Sequence, residues 1–213
     1  MSTAMHTVIC FCKHPNVGFV KSRLSKETDA QFATNVYQIT LEQTLKQICV
    51  VDADVKLYCY PDSKHKFIKN LARKYSLTLN QQHGDDIGMR MFQALDECLK
   101  TAKNVVLIGS DCIQINKDYI QNAFNILEAG YDVVLGPTLD GGYALIGMQC
   151  AQKSLFQNIN WSTDKVLQQT KKILTNGGWK YSCLPIIRDI DTYADYLYFK
   201  EDKLFQHIFD ELN

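Results

Sequence analysis

Short apolar runs alternate with amphipathic stretches along the whole chain. The apolar runs are rich in β-branched side chains, which is typical of strands buried on both faces of a sheet. They predict strands at residues 6–12, 54–60, 77–81, 104–109, 131–136, 143–148 and 179–184. The amphipathic stretches repeat their apolar positions with the period of a helix. They predict helices at residues 27–50, 63–75, 86–100, 117–129 and 163–174, and one or two helices within 192–212.

This alternation of strands and helices predicts the fold class. Strands separated by helices form a mostly parallel sheet with helices on both faces, so we expect a three-layer α/β/α sandwich. The turn-rich sequence at residues 137–143 predicts a hairpin, which makes the sheet mixed. The chain shows no internal repeat, linker or change of composition, so we expect one domain over residues 1–213.

Composition narrows the classes of function. The chain has 213 residues and a formal net charge of zero, whereas a general nucleic-acid binder shows a basic excess. No apolar run reaches ~18 residues, so no membrane-spanning helix is expected. The N-terminal residues lack the pattern of a signal peptide, which favours the cytoplasm. The eight cysteines are scattered without C-x-x-C spacing, and this indicates buried apolar side chains rather than a zinc site.

The loop after the first strand carries candidate chemistry. Residues 13–24 include three cations, Lys13, Lys21 and Arg23, together with Pro and Gly. Lysine offers a point charge and arginine a bidentate fork, so such a loop is able to bind a polyphosphate. Neither a Walker A loop nor a G-x-G-x-x-G pattern is present. The alternative is a solvated basic loop.

Carboxylates follow other predicted strands. Asp111 comes directly after the strand at 104–109, where it suits Mg²⁺ or Mn²⁺, because these hard cations prefer oxygen ligands. Alternatively, Asp111 or Asn116 caps the next helix. Asp189 and Asp191 project to one side if their segment is extended, and one of them is then able to share the metal. The alternative is that Asp191 or Thr192 caps the last helix.

Two glycine-containing stretches complete the candidate site. Asp140 precedes Gly141 and Gly142, and paired glycines let a ligand approach the backbone closely. A plain tight turn is the alternative. The segment 82–90 opens a predicted helix, whose backbone amides are able to bind a hydroxyl or a phosphate. We expect His83 in this segment to be a surface side chain.

Five stretches in this order resemble a known family, that of domain of unknown function 2064. The family lies in the nucleotide-diphospho-sugar transferase superfamily, which has the glycosyltransferase A type of fold, and the resemblance runs from Val8 to about Leu197. The matching positions are Phe11, Lys13, Pro15, Gly18, Val20, Lys21, Ser22, Arg23 and Leu24; Gln82, Gly84, Asp86, Ile87, Gly88, Arg90 and Met91; Gly109–Cys112; Gly136, Pro137, Asp140–Tyr143 and Leu145–Gly147; and Trp161–Thr163 with Asp189–Thr192. Ile113 departs from the family pattern, which has proline there.

The resemblance implies roles for individual residues. Superfamily members bind the nucleotide at the first loop and the metal through an Asp at the end of a central strand, so Asp111 and Asp191 are the expected metal ligands. The expected nucleotide- and phosphate-binding residues are Lys13, Pro15, Gly18, Lys21, Ser22, Arg23, Gly88, Arg90 and Ser110. The expected acceptor-binding residues are Gly141, Gly142, Tyr143 and Trp161. Asp140 and Lys21 are the expected catalytic residues.

Together these features predict a metal-dependent transferase that uses Mg²⁺ or Mn²⁺. Its donor is a nucleotide sugar or a nucleoside triphosphate, and its acceptor is a small molecule. A glycosyltransferase-like activity is favoured. One alternative is a guanylyl- or cytidylyltransferase-like nucleotidyltransferase that releases pyrophosphate. An alternative of another class is a non-catalytic nucleotide-binding protein.

Overall fold

The chain folds around a seven-stranded mixed sheet in a computed structural model that describes residues 4–212. The strands are β1 (Ala4–Lys13), β2 (Asp54–Tyr60), β3 (Thr78–Gln81), β4 (Ala102–Gly109), β5 (Val133–Pro137), β6 (Tyr143–Met148) and β7 (Tyr181–Cys183). The helices are α1 (Ser22–Glu27), α2 (Ala30–Ile48), α3 (Lys66–Lys74), α4 (Ile87–Leu99), α5 (Lys117–Glu128), α6 (Val166–Asn176) and α7 (Tyr193–Glu201). Two 3₁₀ helices occupy Lys153–Phe156 and Gln206–Leu212.

The strand order is β3-β2-β1-β4-β6-β5-β7. Strand β1 runs parallel to β2 and β4, β2 runs parallel to β3, and β5 runs parallel to β7. Strand β6 is antiparallel to both β4 and β5, and Pro137 pairs with Tyr143 at the turn. The predicted hairpin and the mixed, mostly parallel sheet are therefore confirmed.

Side chains of β1 alternate between the two faces of the sheet. On one face Val8 and Cys10 pack in a cluster that includes Leu41 of α2, together with residues of α3 and α5. On the other face Ile9 packs in a cluster with Leu95 of α4 and residues of α6. This arrangement gives the three layers predicted from the sequence. A third cluster joins α1 and α2 to α7 and the last 3₁₀ helix.

The structure corrects the predicted helix at residues 27–50. Helix α1 ends at Glu27, and α2 begins at Ala30 with Asp29 as its N-cap, whose carboxylate accepts from Phe32 N at 2.8 Å. The end of the predicted loop at residues 13–24 is therefore helical. The fully buried Leu24 anchors α1 in the core. The ends of the other helices and strands differ from the predicted ends by a few residues. This is expected, because local capping contacts determine where an element ends.

Two further expectations concern the cysteines and membranes. All eight cysteines are free; Cys150 and Cys183 are exposed, and the other six are buried or half-buried. Burial raises the pKa of the Cys112 thiol to about 12, which keeps it protonated near neutral pH. Within residues 4–212 no helix combines the length and apolar character needed to cross a membrane.

Candidate active site

A cleft opens at the edge of the sheet where β1, β4 and β5 end and β6 begins. It consists of two adjoining cavities of about 280 and 670 Å³. Both are lined by Lys13, Lys21, Asp111, Asp140 and Tyr143, so they form one continuous space, called here the cleft. Ligands of open α/β sheets bind at such strand ends, and this location therefore agrees with a binding site.

Lys21 is the central cation of the cleft. Its backbone is left-handed, with φ 52° and ψ 48°, and its side chain is 1% exposed. The Nζ atom lies 2.9 Å from Oδ2 of Asp111 and 3.2 Å from Oδ1 of Asp191. Burial alone lowers the pKa of the ammonium, but the two carboxylates raise it above its usual value. Lys21 is therefore a charged, buried bridge between the two predicted metal ligands.

Asp111 follows β4 and faces this bridge. Its Oδ1 accepts a hydrogen bond from the Ser110 hydroxyl at 3.2 Å. Burial raises the pKa of the Asp111 carboxyl, but the charge of Lys21 outweighs burial and holds the pKa below its usual value. The cap of α5 is Asn116, whose side chain accepts from Tyr119 N, so Asp111 does not cap that helix.

Asp191 reaches the cleft from the segment before α7. Thr192 is the N-cap of α7 and forms a capping box with Asp195, so Asp191 is not the cap. Asp195 Oδ2 accepts from the backbone N–H groups of Asp191 at 3.2 Å and Thr192 at 2.9 Å. A backbone hydrogen bond from Ile190 N to Asp111 O, 3.2 Å long, joins this segment to the end of β4. These bonds leave the Asp191 carboxylate directed at Lys21 and, at 3.6 Å, at Arg23.

Three carboxylates of the cleft are close enough to share one cation. One oxygen from each of Asp140, Asp189 and Asp191 lies within 4.8 Å of the others; Asp111 is not part of this group. Burial and the neighbouring Asp191 and Asp140 charges raise the pKa of Asp189 to about 7. Such a set of hard oxygen donors fits Mg²⁺ or Mn²⁺.

Asp140 is held in place by its own turn. Its Oδ1 accepts from the Thr138 hydroxyl at 2.6 Å and from Gly142 N at 3.0 Å. The predicted turn at Asp140–Tyr143 thus fixes one oxygen of the Asp140 carboxylate. It also places Asp140 in the lining of the cleft.

Most predicted site residues meet in the cleft. Besides Lys13, Lys21, Asp111, Asp140 and Asp191, they are Ser22, Arg23, Ser110, Gly142, Tyr143 and Trp161. Pro15 and Gly18 in the first loop, Gly88 and Arg90 on α4, and Gly141 do not border either cavity. For these five, direct ligand contact receives no support from the geometry.

Three of these residues have structural contacts instead. A Cβ at Gly88 would overlap the indole of Trp161, so the absent side chain lets Trp161 lie on α4. The Arg90 guanidinium lies 3.8 Å from the centre of the Tyr60 ring, and its Nε donates to Gly84 O at 3.0 Å. A Cβ at Gly141 (φ +86°) would overlap the backbone of Asp164.

Tyr37 and Gln82 are among the cleft residues that received no role from the sequence. Tyr37 on α2 accepts a hydrogen bond from Lys13 N at 2.7 Å and bonds to the Ser110 hydroxyl at 3.3 Å. Gln82 follows β3 and lies across the ends of β1 and β2. Gln82 belongs to the family pattern and was therefore detectable. Nothing in the sequence around Tyr37 distinguishes it from an ordinary helix residue that packs in the core.

Solved structures with the same fold include several transferases. A protein of Desulfovibrio desulfuricans G20 assigned as a nucleotide-diphospho-sugar transferase is 27% identical, with a TM-score of 0.85 over 100% of this chain and 97% of that chain. The 4-diphosphocytidyl-2C-methyl-D-erythritol synthase of Anaerococcus prevotii is 12% identical, with a TM-score of 0.58 over 91% of this chain and 93% of that chain. Glucosyl-3-phosphoglycerate synthase of Mycobacterium tuberculosis, solved with Mn²⁺ and uridine diphosphate, is 10% identical, with a TM-score of 0.56 over 92% of this chain and 75% of that chain.

These likenesses agree with the fold and the transferase class predicted from the sequence. No protein of curated function matches the chain in sequence. Residues 40–163, more than half of the chain, match the family described as an uncharacterized protein conserved in bacteria. The chain therefore belongs to the family of domain of unknown function 2064.

Proposed function

We propose that the protein is a single-domain, metal-dependent transferase that moves a sugar from a nucleotide sugar to a small-molecule acceptor. The observation that carries this proposal is the composition of the cleft. Cations able to bind a diphosphate, Lys13, Lys21 and Arg23, lie in the same space as the carboxylates Asp140, Asp189 and Asp191. A site that holds a metal–diphosphate complex needs both types of group.

The first loop supplies the positive charge for the diphosphate. Lys21 is fixed by two ion pairs. Arg23, in contrast, is 56% exposed and forms a longer ion pair, 3.6 Å from Asp191. Lys21 therefore offers a preorganised charge, and Arg23 and the exposed Lys13 offer adjustable ones. In the proposed reaction these side chains stabilise the negative charge of the departing nucleoside diphosphate.

Asp140, Asp189 and Asp191 would hold the metal, which supplies charge neutralisation at the diphosphate. Asp111 remains a proposed ligand from the sequence, but in the structure its carboxylate is bound to Lys21. Asp191 takes part both in the ion pairs of Lys21 and in the set of three carboxylates that would hold the metal.

The transfer itself has simple bond changes. The acceptor hydroxyl oxygen forms a bond to the anomeric carbon, and the bond from that carbon to the diphosphate oxygen breaks with its electron pair. The Asp140 oxygen that does not hold the metal would accept the hydroxyl proton. Gly142, Tyr143 and Trp161 line the cleft beside Asp140 and would contact the acceptor.

A second candidate is nucleotidyl transfer, which the three cations of the first loop favour. Here an acceptor phosphate oxygen attacks the α-phosphorus of a nucleoside triphosphate, and pyrophosphate leaves. A triphosphate carries more charge to neutralise, and the presence of Lys13, Lys21 and Arg23 in the lining of the cleft suits it.

One panel of measurements tests both candidates. Titration calorimetry with nucleoside diphosphates, nucleotide sugars and nucleoside triphosphates, each with Mn²⁺ or with chelator, is expected to show binding that depends on Mn²⁺. Tighter binding of nucleotide sugars than of triphosphates would favour sugar transfer, and the reverse order would favour nucleotidyl transfer. Equal affinity in Mn²⁺ and in chelator would overturn metal dependence, and no binding by any compound would overturn both candidates.

A further inference from the structure

A third cavity, of about 150 Å³, adjoins the cleft on the face of the sheet that α4 covers. It shares Ile87, Gly109 and Tyr143 with the cavity of about 280 Å³, so it is reached from the cleft. Within residues 4–212 no charged or amide side chain lines it. The apolar side chains of its lining include those of Phe11, Met91, Leu107 and Ile146. This space is called here the apolar cavity.

Gly109 keeps one wall of the apolar cavity open. It pairs with Phe11 across β1 and β4, and it lies on the same face of the sheet as Leu107, because side chains alternate along a strand. Apart from its chain neighbours, a Cβ built on Gly109 meets no atom within 4 Å. The φ angle of Gly109 lies outside the left-handed region, so the backbone does not require glycine at this position. The glycine therefore provides space and not a special conformation.

An unfilled apolar space lowers the stability of a fold. The atoms that line it lose packing contacts that a filled core would supply. A glycine in a strand also loses more backbone entropy on folding than a larger residue does. Valine in place of Gly109 would reduce both losses, since it fills space and suits a strand. An arrangement that lowers stability in two ways at one position is expected where a ligand fills the space.

The chemistry of the lining selects a hydrocarbon group. Phosphates need cations, and sugar hydroxyls and nucleobase edges need hydrogen-bond partners when they are buried. The lining residues that the structure describes offer a single hydroxyl, that of Tyr143. An apolar cavity of about 150 Å³ is able to hold a molecule such as benzene. The apolar cavity therefore suits a phenyl ring or a short branched alkyl chain.

The position of the apolar cavity assigns this group to the acceptor. Tyr143 lines both the cleft and the apolar cavity, and it begins β6 directly after the turn that holds Asp140. Lys13, Lys21 and Arg23 border the cleft but not the apolar cavity. An acceptor with its hydroxyl at Asp140 is thus able to place a hydrocarbon group beyond Tyr143, while the diphosphate stays with the cations.

We propose that the apolar cavity binds a compact hydrocarbon group of the acceptor, of the size of a phenyl ring or a short branched alkyl chain; the assignment to the acceptor rests on the proposed function. The acceptor is then an alcohol that carries such a group near its reacting hydroxyl, and not a purely polar molecule such as a free sugar.

Binding of benzyl alcohol tests the apolar cavity without any nucleotide. Nuclear magnetic resonance of isotope-labelled methionine methyl groups observes Met91 in the lining, and Met148, buried at the other end of β6, is the control. Benzyl alcohol is expected to shift the Met91 signal with saturation and to leave the Met148 signal unchanged. Glycerol at the same concentrations should shift neither signal. The absence of a saturable shift at Met91 would overturn the proposal.

Variants at Gly109 reduce the space in two steps. Gly109→Val is expected to melt no lower than the parent and to bind benzyl alcohol at least about tenfold more weakly, with Gly109→Ala in between. If Gly109→Val does not fold, Gly109→Ala decides. Parent-like binding of benzyl alcohol by the larger variant that folds would refute the location of the site.

Transfer reactions test the assignment to the acceptor. With the nucleotide sugar that binds best, kcat/KM for benzyl alcohol or isopentyl alcohol is expected to exceed that for glycerol by at least about tenfold. Gly109→Val should remove this preference while its Mn²⁺-dependent affinity for the nucleotide sugar stays within about threefold of the parent value.

The outcomes separate this inference from the proposed function. A preference for glycerol, or no transfer to either hydrocarbon alcohol, would overturn the acceptor assignment. An equal loss of nucleotide-sugar affinity in Gly109→Val would place the donor in the apolar cavity and would overturn it as well. If the parent bound no nucleotide at all, the proposed function would fail, whereas the Met91 measurement would still decide whether the cavity binds a hydrocarbon group.

Discussion

Lys21 and Asp111 form an ion pair 2.9 Å long between the first loop and the end of β4. Because Asp191 binds the same ammonium, one buried cation connects three segments that are distant in the sequence. A predicted phosphate ligand thus lies between two predicted metal ligands.

Separate substitutions of Lys21 and Arg23 should distinguish the effect of losing a buried charge from the effect of losing an exposed one. Lys21→Met leaves two carboxylates without their partner and is expected to cost about 1–3 kcal/mol of unfolding free energy. Arg23→Met removes a pair with a 56% exposed side chain and should cost below about 1 kcal/mol. Both variants should weaken triphosphate binding roughly ten- to hundredfold more than nucleoside binding. Denaturant unfolding and calorimetry measure these effects. Parent-like triphosphate binding by both variants would show that the loop is only a solvated basic surface.

Asp191→Asn should lower the affinity for Mn²⁺ and for the Mn²⁺–nucleotide complex by at least tenfold. Asp191 has no capping bond to lose, because Thr192 is the cap of α7. We expect a larger loss of affinity for Asp191→Asn than for Asp189→Asn, since Asp191 also orients Lys21. Free Mn²⁺ is measured by electron paramagnetic resonance. Normal metal binding by the Asp191→Asn variant would show that Asp191 is not a metal ligand.

The stability of the metal-free protein should fall as the pH rises from about 4 to about 7. The pKa of Asp189 is about 7 in the folded protein against an ordinary value of 3.8. In this window the folded state holds a proton that the unfolded state has released, so increasing pH favours unfolding. Melting temperatures at pH 5 and pH 8 in chelator measure this loss, and Asp189→Asn should reduce it. A loss of equal size in both proteins would show that Asp189 is not its source.

Tyr37→Phe should keep the packing of α2 and disturb the cleft. The substitution leaves the Lys13 N–H without its 2.7 Å partner, which is expected to cost about 1–3 kcal/mol. It also removes the bond to Ser110, which in turn bonds Asp111. Nucleotide affinity should therefore fall in a protein that still melts cooperatively. Ser110→Ala in the Tyr37→Phe background should then cost less than it does in the parent, and strict additivity would refute the connection.

The sequence predicted the sheet well because its strands are buried on both faces and interrupted by amphipathic helices. The predicted helix began at Glu27, before the true start of α2, because residues 25–29 are all polar and the capping bond of Asp29 is what places the start at Ala30. Asp111 and Asp140 were predictable as carboxylates of the cleft because both lie within a few residues of the end of a strand.

The partners of those carboxylates were not predictable. The spacing of Lys21 resembles that of any cation in a basic loop, and its burial depends on Asp191, which only the closed fold brings near. Asp189 and Asp191 both point towards the cleft, as their spacing suggested, but their different neighbours depend on Asp195 and on the bond from Ile190 to Asp111.

The bond from Ile190 N to Asp111 O also has a consequence for protein synthesis. Strands β1, β2 and β4 are complete long before residue 190 leaves the ribosome. Until then Lys21 has at most one of its two carboxylate partners, and the end of β4 lacks its neighbouring segment. The cleft is therefore one of the last parts of the chain to acquire its final arrangement, and a nascent chain that stalls before this segment would carry a nearly finished sheet without a finished site.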